Sequence, residues 1–482
     1  MTIHYVKPNS NTHLPTLAQA AAVAKPGDVV VIHGGIYREA LRPPAGTTWQ
    51  AAEGERMVID RGWNGRQMDP AEGKANGVLI AEPDVTIRGL EIRNVAGQGV
   101  AVTKGGHRFT MEKCEIHHTL QAGFAANGLG ECVENITIRN CHAHDLCLSG
   151  QWQETPVNGC FLFKSAKGVL VEDSLIERGY GEGLAAGSRS QHLVFRRVTV
   201  RNTRHLLVYA ANRATDVTVE QCVFYQEGLD AFRQGDGDVG AGIVVGDEES
   251  GDKDNQWQHS ENVTIRGCLV VNGSGAFQVR NGTKPGKKPD TLDGYDTRIQ
   301  NLVVERCTFV TGPDSKLGVT IGQNDQGGSV AGNFRNNLFV MDTMGKADAE
   351  RFRNRAPGVK FENNVWTAGV PAGLNGQGNR QVPAAKALVA PLATPFALGN
   401  YRPAAGGPLD GAGIGADIDA LTGGEAPGDP PGETDDEPDW FKDFRQQMDS
   451  TLAGHGVELD QLASRLTMLE RQMSYLAALP EH

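Results

Sequence analysis

The sequence predicts an all-β fold, a right-handed parallel β-helix with an N-terminal helical cap, followed by a C-terminal α-helical coiled coil. Three observations support this prediction. A short strand motif recurs along most of the chain, a second strand that opens on glycine precedes most copies, and one small residue, often cysteine, recurs within the motif. One coil of such a repeat cannot bury its own apolar face, so the coils must stack.

The strand motif alternates apolar and polar residues, as a half-buried strand does. Its first eight copies begin 24 to 46 residues apart, which indicates a base period near 24 with insertions. The copies are Val85–Leu90, Phe109–Cys114, Ile136–Cys141, Val169–Ser174, Leu193–Val198, Val217–Cys222, Val263–Cys268 and Leu302–Cys307, with degenerate copies ending at Asn337 and Asn364. The glycine-opened strands are Gly99–Val102, Gly159–Leu162, Gly183–Ala186, Gly242–Val245 and Gly318–Ile321.

Five of the eight cysteines occupy the last position of the motif, in different coils: Cys114, Cys141, Cys222, Cys268 and Cys307. This recurrence predicts an inward-facing stack of small side chains at a turn, with cysteine acting as a small hydrophobe. We expect free thiols, which fit synthesis in a reducing cytosol. Disulfides and a metal site are the alternatives for the same residues.

The first coil is also recognisable. Residues Pro15–Ala24 predict a short alanine-rich helix with proline at its start. The block PGDVVVIHGGIYRE (Pro26–Glu39) then predicts a turn and a buried strand. Together with the repeated VTIRxC coils and the late block YRPAAGGPLDGAG (Tyr401–Gly413), it resembles pectate-lyase-like right-handed β-helix proteins over roughly residues 1–422.

That superfamily includes polysaccharide lyases, glycoside hydrolases, uronan epimerases and phage tailspikes, and the fold does not choose among them. The whole arrangement resembles a phage tailspike or minor tail protein that binds cell-surface polysaccharide, with cleavage left open. We then expect a homotrimer that contacts other tail proteins in the virion after synthesis in the host cytoplasm. The alternatives are a free polysaccharide lyase or glycoside hydrolase, and a non-enzymatic structural component of the virion.

Composition excludes some partners. The formal net charge is −12 and there is no long Lys/Arg run, so we expect no binding to nucleic acid. No stretch approaches 18 apolar residues, so we expect no membrane span. The first residues lack the apolar core of a secretory signal, and we expect none.

Three segments are predicted: the β-helix over 1–422, an acidic Pro/Gly linker over 423–438, and a helical segment over 439–482 for oligomerisation or docking. The helical segment carries apolar residues at alternating spacings of three and four: Leu459, Leu462, Leu466, Leu469, Met473 and Leu476. These are the a and d positions of a coiled coil, and they do not fix the strand number. Arg465 and Glu470 then fall at g and the following e, which favours parallel helices. A single helix docked on the β-helix is the alternative.

Polar side chains should align on the outer face of successive coils, where extended saccharides bind such helices. The motif spacing predicts one ladder of His117, His144, Glu177 and Arg201, and a neighbouring one of His118, Asp145, Arg178 and Asn202. Any one of these could simply be a solvated surface residue. Glu182, Arg204 and His205 are predicted to lie in adjacent coils at the entry of the next strand. Two insertions, 148–157 and 227–239, flank them, and insertions on one face of a solenoid tend to build a site.

We therefore predict that the site lies on coils spanning about residues 144–245. Hydrolysis needs two carboxylates, for which Glu182 and Asp230 are the best pair, with Glu182 as nucleophile or base and Asp230 as proton donor. Uronate elimination needs a base and a group that neutralises the substrate carboxylate, roles open to Arg204, His205, Lys164 and Arg189. The predicted substrate-binding residues are His144, Asp145, Trp152, Asn158, Lys164, Arg189 and Tyr209.

The acidic stretch Asp247–Asp254 could take a calcium ion, since hard cations favour clustered carboxylates. Its spacing does not match an EF-hand, and we favour a solvated loop. No cofactor and no other metal site is predicted.

Overall fold

The computed structural model describes residues 1–68, 75–128, 130–152, 159–227, 240–248, 259–282, 298–312, 315, 317–322, 329–341, 352–391 and 396–421. The linker and coiled coil predicted from the sequence lie outside these residues. In the described part the chain winds through successive coils, and each complete coil adds one strand to each of three faces. Strands on successive coils pair in parallel, as predicted.

We name the faces in the order in which the chain meets them. Face one holds β1 (Ile3–Val6), β2 (Val29–Ile32), β4 (Thr48–Ala51), β7 (Thr86–Arg88), β10 (Thr110–Glu112), β13 (Val133–Arg139), β20 (Thr215–Glu220), β23 (Ser260–Arg266), β26 (Arg298–Glu305), β29 (Ser329–Arg335) and β32 (Gly358–Glu362). Face two holds β3 (Gly35–Tyr37), β5 (Met57–Asp60), β8 (Glu91–Val95), β11 (Glu115–Thr119), β14 (His142–Leu146), β21 (Val223–Tyr225), β24 (Leu269–Val271), β27 (Thr308–Val310), β30 (Leu338–Val340), β33 (Val365–Trp366) and β34 (Arg380–Gln381).

Two long strands, β16 (Ala166–Gly179) and β18 (Gln191–Thr203), run through faces one and two and join them into a single sheet. Face three is a separate sheet of β6 (Val78–Ile80), β9 (Val100–Thr103), β12 (Phe124–Asn127), β15 (Gly159–Lys164), β17 (Glu182–Ala186), β19 (Leu206–Asn212), β22 (Ala241–Glu248), β25 (Gly275–Gly282), β28 (Leu317–Ile321) and β31 (Phe352–Asn354).

The strand motif read from the sequence is the face-one strand and the corner after it. Ile87 pairs with Met111, and Met111 with Ile138, so equivalent residues of successive coils lie side by side. These apolar residues are fully buried. Alternation within each strand sends them inward, because successive side chains of a strand point to opposite sides.

The corner between faces one and two explains the recurrent cysteine. The residue before it has a positive φ, as Lys113 (52°) and Asn140 (52°) do. The side chain that follows turns back on the chain, and Cys114 Sγ lies 3.3 Å from the Glu112 carbonyl oxygen. Ser174 donates to the Glu172 carbonyl oxygen in the same way, at 2.8 Å. Small hydrogen-bonding side chains therefore suit this position, since they fill the corner and satisfy a backbone group.

The five stacked cysteines are buried and every cysteine is a free thiol, which confirms the predicted inward stack. Asparagines take over the position in the last coils. Asn337 Oδ1 accepts from the Cys307 backbone N–H at 2.9 Å, and Asn337 donates to Asn364 Oδ1 at 3.0 Å.

The N-terminal cap is α1 (Leu17–Val23), which is shorter than the predicted helix. Thr16, rather than Pro15, begins it, because the Thr16 hydroxyl accepts from the Gln19 backbone N–H at 3.1 Å. The Glu39 carboxylate also accepts from the backbone N–H groups of Leu17 and Ala18, at 2.8 and 3.0 Å.

The C-terminal segment (residues 382–391 and 396–421) covers face two of the later coils. It contains α2 (Ala384–Ala387), a 3₁₀ turn (Leu398–Tyr401) and α3 (Ile418–Leu421). The outward residues beneath it are apolar, and they form one buried cluster with it: Val223, Tyr225, Leu269, Val271, Val310, Leu338, Val340 and Val365. On the coils of β8 to β18 the equivalent positions, apart from Leu175, are polar. Among the described residues, no helix is long and apolar enough to cross a membrane.

Candidate functional site

The earlier coils of face two carry a column of polar side chains that we call the ladder. Its register is given by the pairings of β8, β11, β14, β16, β18 and β21. The residues, one per coil, are Arg93, His117, His144, Glu177, Arg201 and Tyr225. Four of them form the ladder predicted from the motif spacing, and the register confirms that alignment.

A second column lies two residues earlier on the same strands, on the same side of the sheet. It consists of Glu91, Glu115 and His142, which are neighbours in register. These three residues are not among the predicted site residues. The sequence spacing could have predicted them, because positions i and i+2 of a strand share a face and these residues lie two positions before ladder residues.

The predicted second ladder lies at the corner between faces two and three. Asn94, His118, Asp145, Arg178 and Asn202 all have φ values between 49° and 53°. This left-handed backbone turns the chain tightly there. Arg178 of one coil contacts Asp145 of the preceding coil through two hydrogen bonds of 3.0 and 3.1 Å.

At its first coils the ladder is an ion-pair network. Arg56 makes two hydrogen bonds to the Glu91 carboxylate, of 2.5 and 3.0 Å. Arg93 bridges Glu91 and Asp60, at 3.3 and 3.1 Å. Burial opposes ionisation of Glu91, but hydrogen bonds from His117 and Arg56 outweigh it and lower the pKa of Glu91 to about 2.

The histidines stack at the centre of the ladder. The rings of His117 and His144 are 4.8 Å apart and 10° from parallel, and the rings of His142 and His144 are 4.7 Å apart. His117 Nδ1 lies 2.7 Å from His118 Nδ1, so one ring donates and the other accepts. Burial lowers the pKa of His117, and it lowers the pKa of His118 to about 3, which keeps both rings neutral at pH 7.

His144 is the most enclosed of the stacked rings and has a carboxylate on each side. Its Nε2 lies 3.2 Å from Glu115 Oε1, and its Nδ1 lies 2.7 Å from Asp145 Oδ2. Burial disfavours the charged ring, but Asp145 and Glu115 overcome this and raise the pKa of His144 to about 9. Arg178 Nη2 is also 2.9 Å from Nδ1. Since a guanidinium can only donate, we assign the Nδ1 proton to Asp145 and the Arg178 hydrogen bonds to the Asp145 carboxylate.

Glu177 joins the histidines to the last rungs. Its carboxylate contacts His142 Nε2 at 2.9 Å, Arg178 at 3.1 Å and Arg201 through a short hydrogen bond. Burial opposes its charge, but these partners hold the pKa of Glu177 well below its usual range. Arg201 also donates to the Tyr225 hydroxyl at 2.8 Å.

The predicted catalytic residues lie elsewhere, at the start of face three. Glu182 begins β17, whose pairing with β19 matches Leu184 with Val208. Glu182 thus aligns with Leu206, and Arg204 lies two residues earlier. The Arg204 side chain is buried and donates to the Gly150 carbonyl oxygen, where it holds the 3₁₀ helix Leu148–Trp152 that opens the first insertion. His205 precedes β19 and is partly exposed, and Asp230 lies outside the described residues.

The predicted binding residues are divided. His144 and Asp145 belong to the ladder region described above. Lys164 ends β15, and Arg189 donates to the Gly130 carbonyl oxygen at 3.1 Å, both on the side of face three. Tyr209 is buried in a small cluster with Ala185, Leu206, Ala241 and Val244. Trp152 ends the 3₁₀ helix, and Asn158 lies outside the described residues.

The acidic stretch predicted as a loop begins inside a strand. Asp247 and Glu248 are the last residues of β22. Asp247 is fully buried and contacts His259 Nδ1 at 2.8 Å and Arg213 Nε at 3.6 Å. The predicted solvated loop is therefore wrong for Asp247. A histidine and an arginine satisfy its buried carboxylate, whereas water would satisfy the carboxylate of a loop residue. Residues 249–254 lie outside the described part.

The site therefore offers carboxylates, imidazoles and guanidiniums along two adjacent outer columns. Such groups can hydrogen-bond hydroxyl and carboxylate groups, hold protons, and bind a metal. One donor atom each from Glu115, His142 and His144 lies within 4.8 Å of the other two, which makes these residues the candidate metal ligands of the described region.

Comparison with known proteins extends the assignment of the fold. Residues 76–255 match the family model described as right handed beta helix region. No curated protein matches the sequence. The structure is similar to pectate lyase Pel9A, with 13% identity, 85% of this chain and 90% of that chain covered, and a TM-score of 0.46.

It is also similar to a PL6 alginate lyase in complex with a trisaccharide, with 12% identity, 87% and 93% of the two chains covered, and a TM-score of 0.48. A third similar structure is a double mutant of the tailspike of E. coli bacteriophage HK620 in complex with a pentasaccharide. It has 11% identity, 78% and 64% of the two chains covered, and a TM-score of 0.46. The family match and the parallel register of the coils show that this chain folds as a right-handed parallel β-helix.

Proposed function

We propose that this chain is a phage tail protein, a tailspike or minor tail protein, that binds cell-surface polysaccharide along the ladder. The observation that carries the binding proposal is the register of Arg93, His117, His144, Glu177, Arg201 and Tyr225 on six successive coils. Neighbouring strands are about 4.8 Å apart, so the column spans roughly 24 Å. A linear saccharide presents hydrogen-bonding groups at regular steps, and a straight column of regularly spaced polar groups matches it.

The limits of the column also support a binding surface. Polar ladder residues end at Tyr225, where the C-terminal segment begins to cover face two. The chain therefore covers the apolar part of this face with its own residues. Arg178 and Arg201 keep 34% and 24% of their side-chain surface exposed, which lets them donate to a bound saccharide while they hold their carboxylate partners.

The tail role rests on the sequence rather than on the ladder. The heptads of Leu459–Leu476 follow an acidic linker, an arrangement that suits a body held in a homotrimer next to other tail proteins. The same β-helix without that role would be a free polysaccharide lyase or glycoside hydrolase. A structural virion component is the third reading, in which the ladder has no ligand.

A matched pair of substitutions tests binding at the ladder. Arg196 and Arg201 lie on the same strand, β18, and each pairs with a glutamate of the preceding coil, Glu172 and Glu177. Arg196 faces outward on face one and Arg201 on face two. Binding to an array of purified bacterial surface polysaccharides should weaken at least about tenfold in Arg201→Gln, since it loses charge-assisted hydrogen bonds.

Arg196→Gln loses an ion pair of the same kind and should bind within about twofold of wild type. Equal losses in both variants would assign the effect to stability rather than to the ladder. If the wild-type protein binds no polysaccharide on the array, the structural reading replaces the binding proposal.

A further inference from the structure

We propose that Glu115, His142 and His144 bind a divalent transition metal ion of the Zn²⁺ type between the ladder and its neighbouring column. This inference does not depend on the proposed function, because metal binding is measured without any saccharide. It rests on the distances among three potential ligands, on the carboxylates that orient two of them, and on the charges around them.

The three donor groups come from two adjacent strands and converge by register. Glu115 of β11 pairs directly with His142 of β14, and His144 follows two residues later on the same side of β14. Their donor atoms lie within 4.8 Å of one another, and Glu115 Oε1 is 3.2 Å from His144 Nε2. Small rotations of these side chains could bring all three atoms to the distance of about 2.0–2.2 Å at which zinc binds nitrogen and oxygen.

Carboxylates behind the histidines provide a second observation. Asp145 Oδ2 is 2.7 Å from His144 Nδ1, which leaves Nε2 directed at Glu115. Glu177 Oε1 is 2.9 Å from His142 Nε2. Histidines that bind metals usually donate their other N–H to a carboxylate, which fixes the ring and strengthens it as a ligand. Asp145 is itself held by Arg178.

The charge around the site can accept a dication. Glu115, Asp145 and Glu177 contact the two histidines, and Arg178 and Arg201 contact these acids. Metal binding displaces the proton of a histidine ligand, so Zn²⁺ would take the place of the His144 proton that now faces Glu115. With both histidines then neutral, three carboxylates against two guanidiniums leave one net negative charge. Two imidazoles and one carboxylate favour zinc and similar transition metals over calcium or magnesium, which prefer oxygen ligands.

Three protein ligands leave a coordination position open for water or a hydroxyl group. Zinc sites that keep an open position are of this kind, whereas structural zinc sites are closed by four protein ligands. His142 and Glu115 retain 24% and 16% of their side-chain surface exposed, so the ion can enter from the outer face.

The test is Zn²⁺ binding to the full chain after treatment with a chelator, measured by calorimetry and by metal analysis after dialysis. We expect one Zn²⁺ per chain with a micromolar or tighter dissociation constant. Glu115→Gln and His142→Asn should each weaken binding at least about a hundredfold, and Asp145→Asn about 10- to 100-fold. The control is His192→Asn, which removes a half-exposed histidine of β18 that pairs with Asp216, and it should leave affinity within about twofold.

Thermal melting identifies any variant that fails to fold. The spectrum of Co²⁺ bound to the wild-type chain then decides independently of the variants, because imidazole and carboxylate ligands in a site of low coordination number give intense visible absorption bands. Equal affinity in the ligand variants and in His192→Asn would mean an adventitious ion only and would overturn the proposal. Absence of stoichiometric binding to the wild-type chain would overturn it as well.

Discussion

The ring of Phe396 stacks on the ring of Tyr225, with centroids 3.9 Å apart and planes 5° from parallel. Tyr225 is the last rung of the ladder, and Phe396 belongs to the C-terminal segment. This contact therefore marks the boundary between the polar and the covered parts of face two.

Replacing Phe396 with Ala should destabilise the protein by about 1–3 kcal/mol, since it removes a stacked pair and uncovers apolar residues of face two. The measurement is the free energy of unfolding from urea denaturation. Val389→Ala, at a side chain that is 59% exposed in the same segment, is the control and should change it by less than about 0.5 kcal/mol. Equal effects of the two substitutions would contradict the assigned role of the stack.

The cysteine stack predicts a thiol count. Titration of the denatured protein should find all eight cysteines free, because none is paired in the structure. In the native protein Cys132 should react first, since it is the cysteine that is not fully buried. Cys132→Ser should abolish this early reaction, and any native disulfide would refute the argument for a reducing compartment.

The heptads predict assembly through the C-terminal residues. The full chain should be a trimer in solution. A chain that ends at Thr422 should form a smaller assembly, with fewer chains per particle, because it lacks the coiled coil. Sedimentation at micromolar concentration measures both. If the full chain and the truncated chain are both monomeric, the tail role loses its main support. An antiparallel arrangement of the helices would also count against it.

Asp28 holds the N-terminal strand β1 in place, and we expect this stabilisation to be lost in acid. Its carboxylate contacts His4 at 3.0 Å and accepts from the backbone N–H groups of Thr2 and Lys25, at 2.6 and 3.0 Å. The hydrogen bonds to His4, Thr2 and Lys25 hold the pKa of Asp28 well below its usual range. The pKa is lower in the folded than in the unfolded state, so this stabilisation is present above about pH 4 and is lost as the pH falls toward the folded pKa.

The melting temperature of Asp28→Asn should accordingly lie below that of wild type at pH 7, and the difference should shrink as the pH is lowered from 4 to 2. Glu53→Gln, at an exposed carboxylate, should follow the wild-type curve throughout. A difference that stays constant down to pH 2 would show that Asp28 acts through packing rather than through its charge.

If the protein cleaves its polysaccharide through Glu182 and Asp230, then Glu182→Gln and Asp230→Asn should each lower the cleavage rate at least about a hundredfold while binding survives. Reducing-end release and the absorbance of unsaturated products measure hydrolysis and elimination separately. Glu131→Gln, at an exposed carboxylate, is the control. Cleavage that persists in both variants would exclude this pair. If the wild-type protein cleaves nothing, binding without cleavage remains as the proposed role.

Prediction of the candidate site from sequence succeeded for residues at one fixed place in the repeat. His117, His144, Glu177 and Arg201 align because each follows its motif at the same distance, whatever the length of the insertion before it. Glu115 and His142 were missed because the prediction followed one column of the strand and not its neighbour two residues earlier. Asp247 contacts His259 and Arg213, which lie 12 and 34 residues away in the sequence. The repeat does not predict that these residues meet.

The sequence by itself determined the coil, the inward stack of small residues and the outward ladder, because alternation and repeat spacing are local properties that each strand carries alone. The tertiary structure decided which polar columns come into contact and which part of face two stays open. The contact of His144 with Glu115 depends on the lateral stacking of coils. The cover over the later coils depends on the C-terminal segment packing back on them, as where the Ala416 backbone N–H donates to the Thr308 hydroxyl 108 residues earlier in the chain. Such contacts depend on how distant segments fill shared space, and no local pattern encodes that.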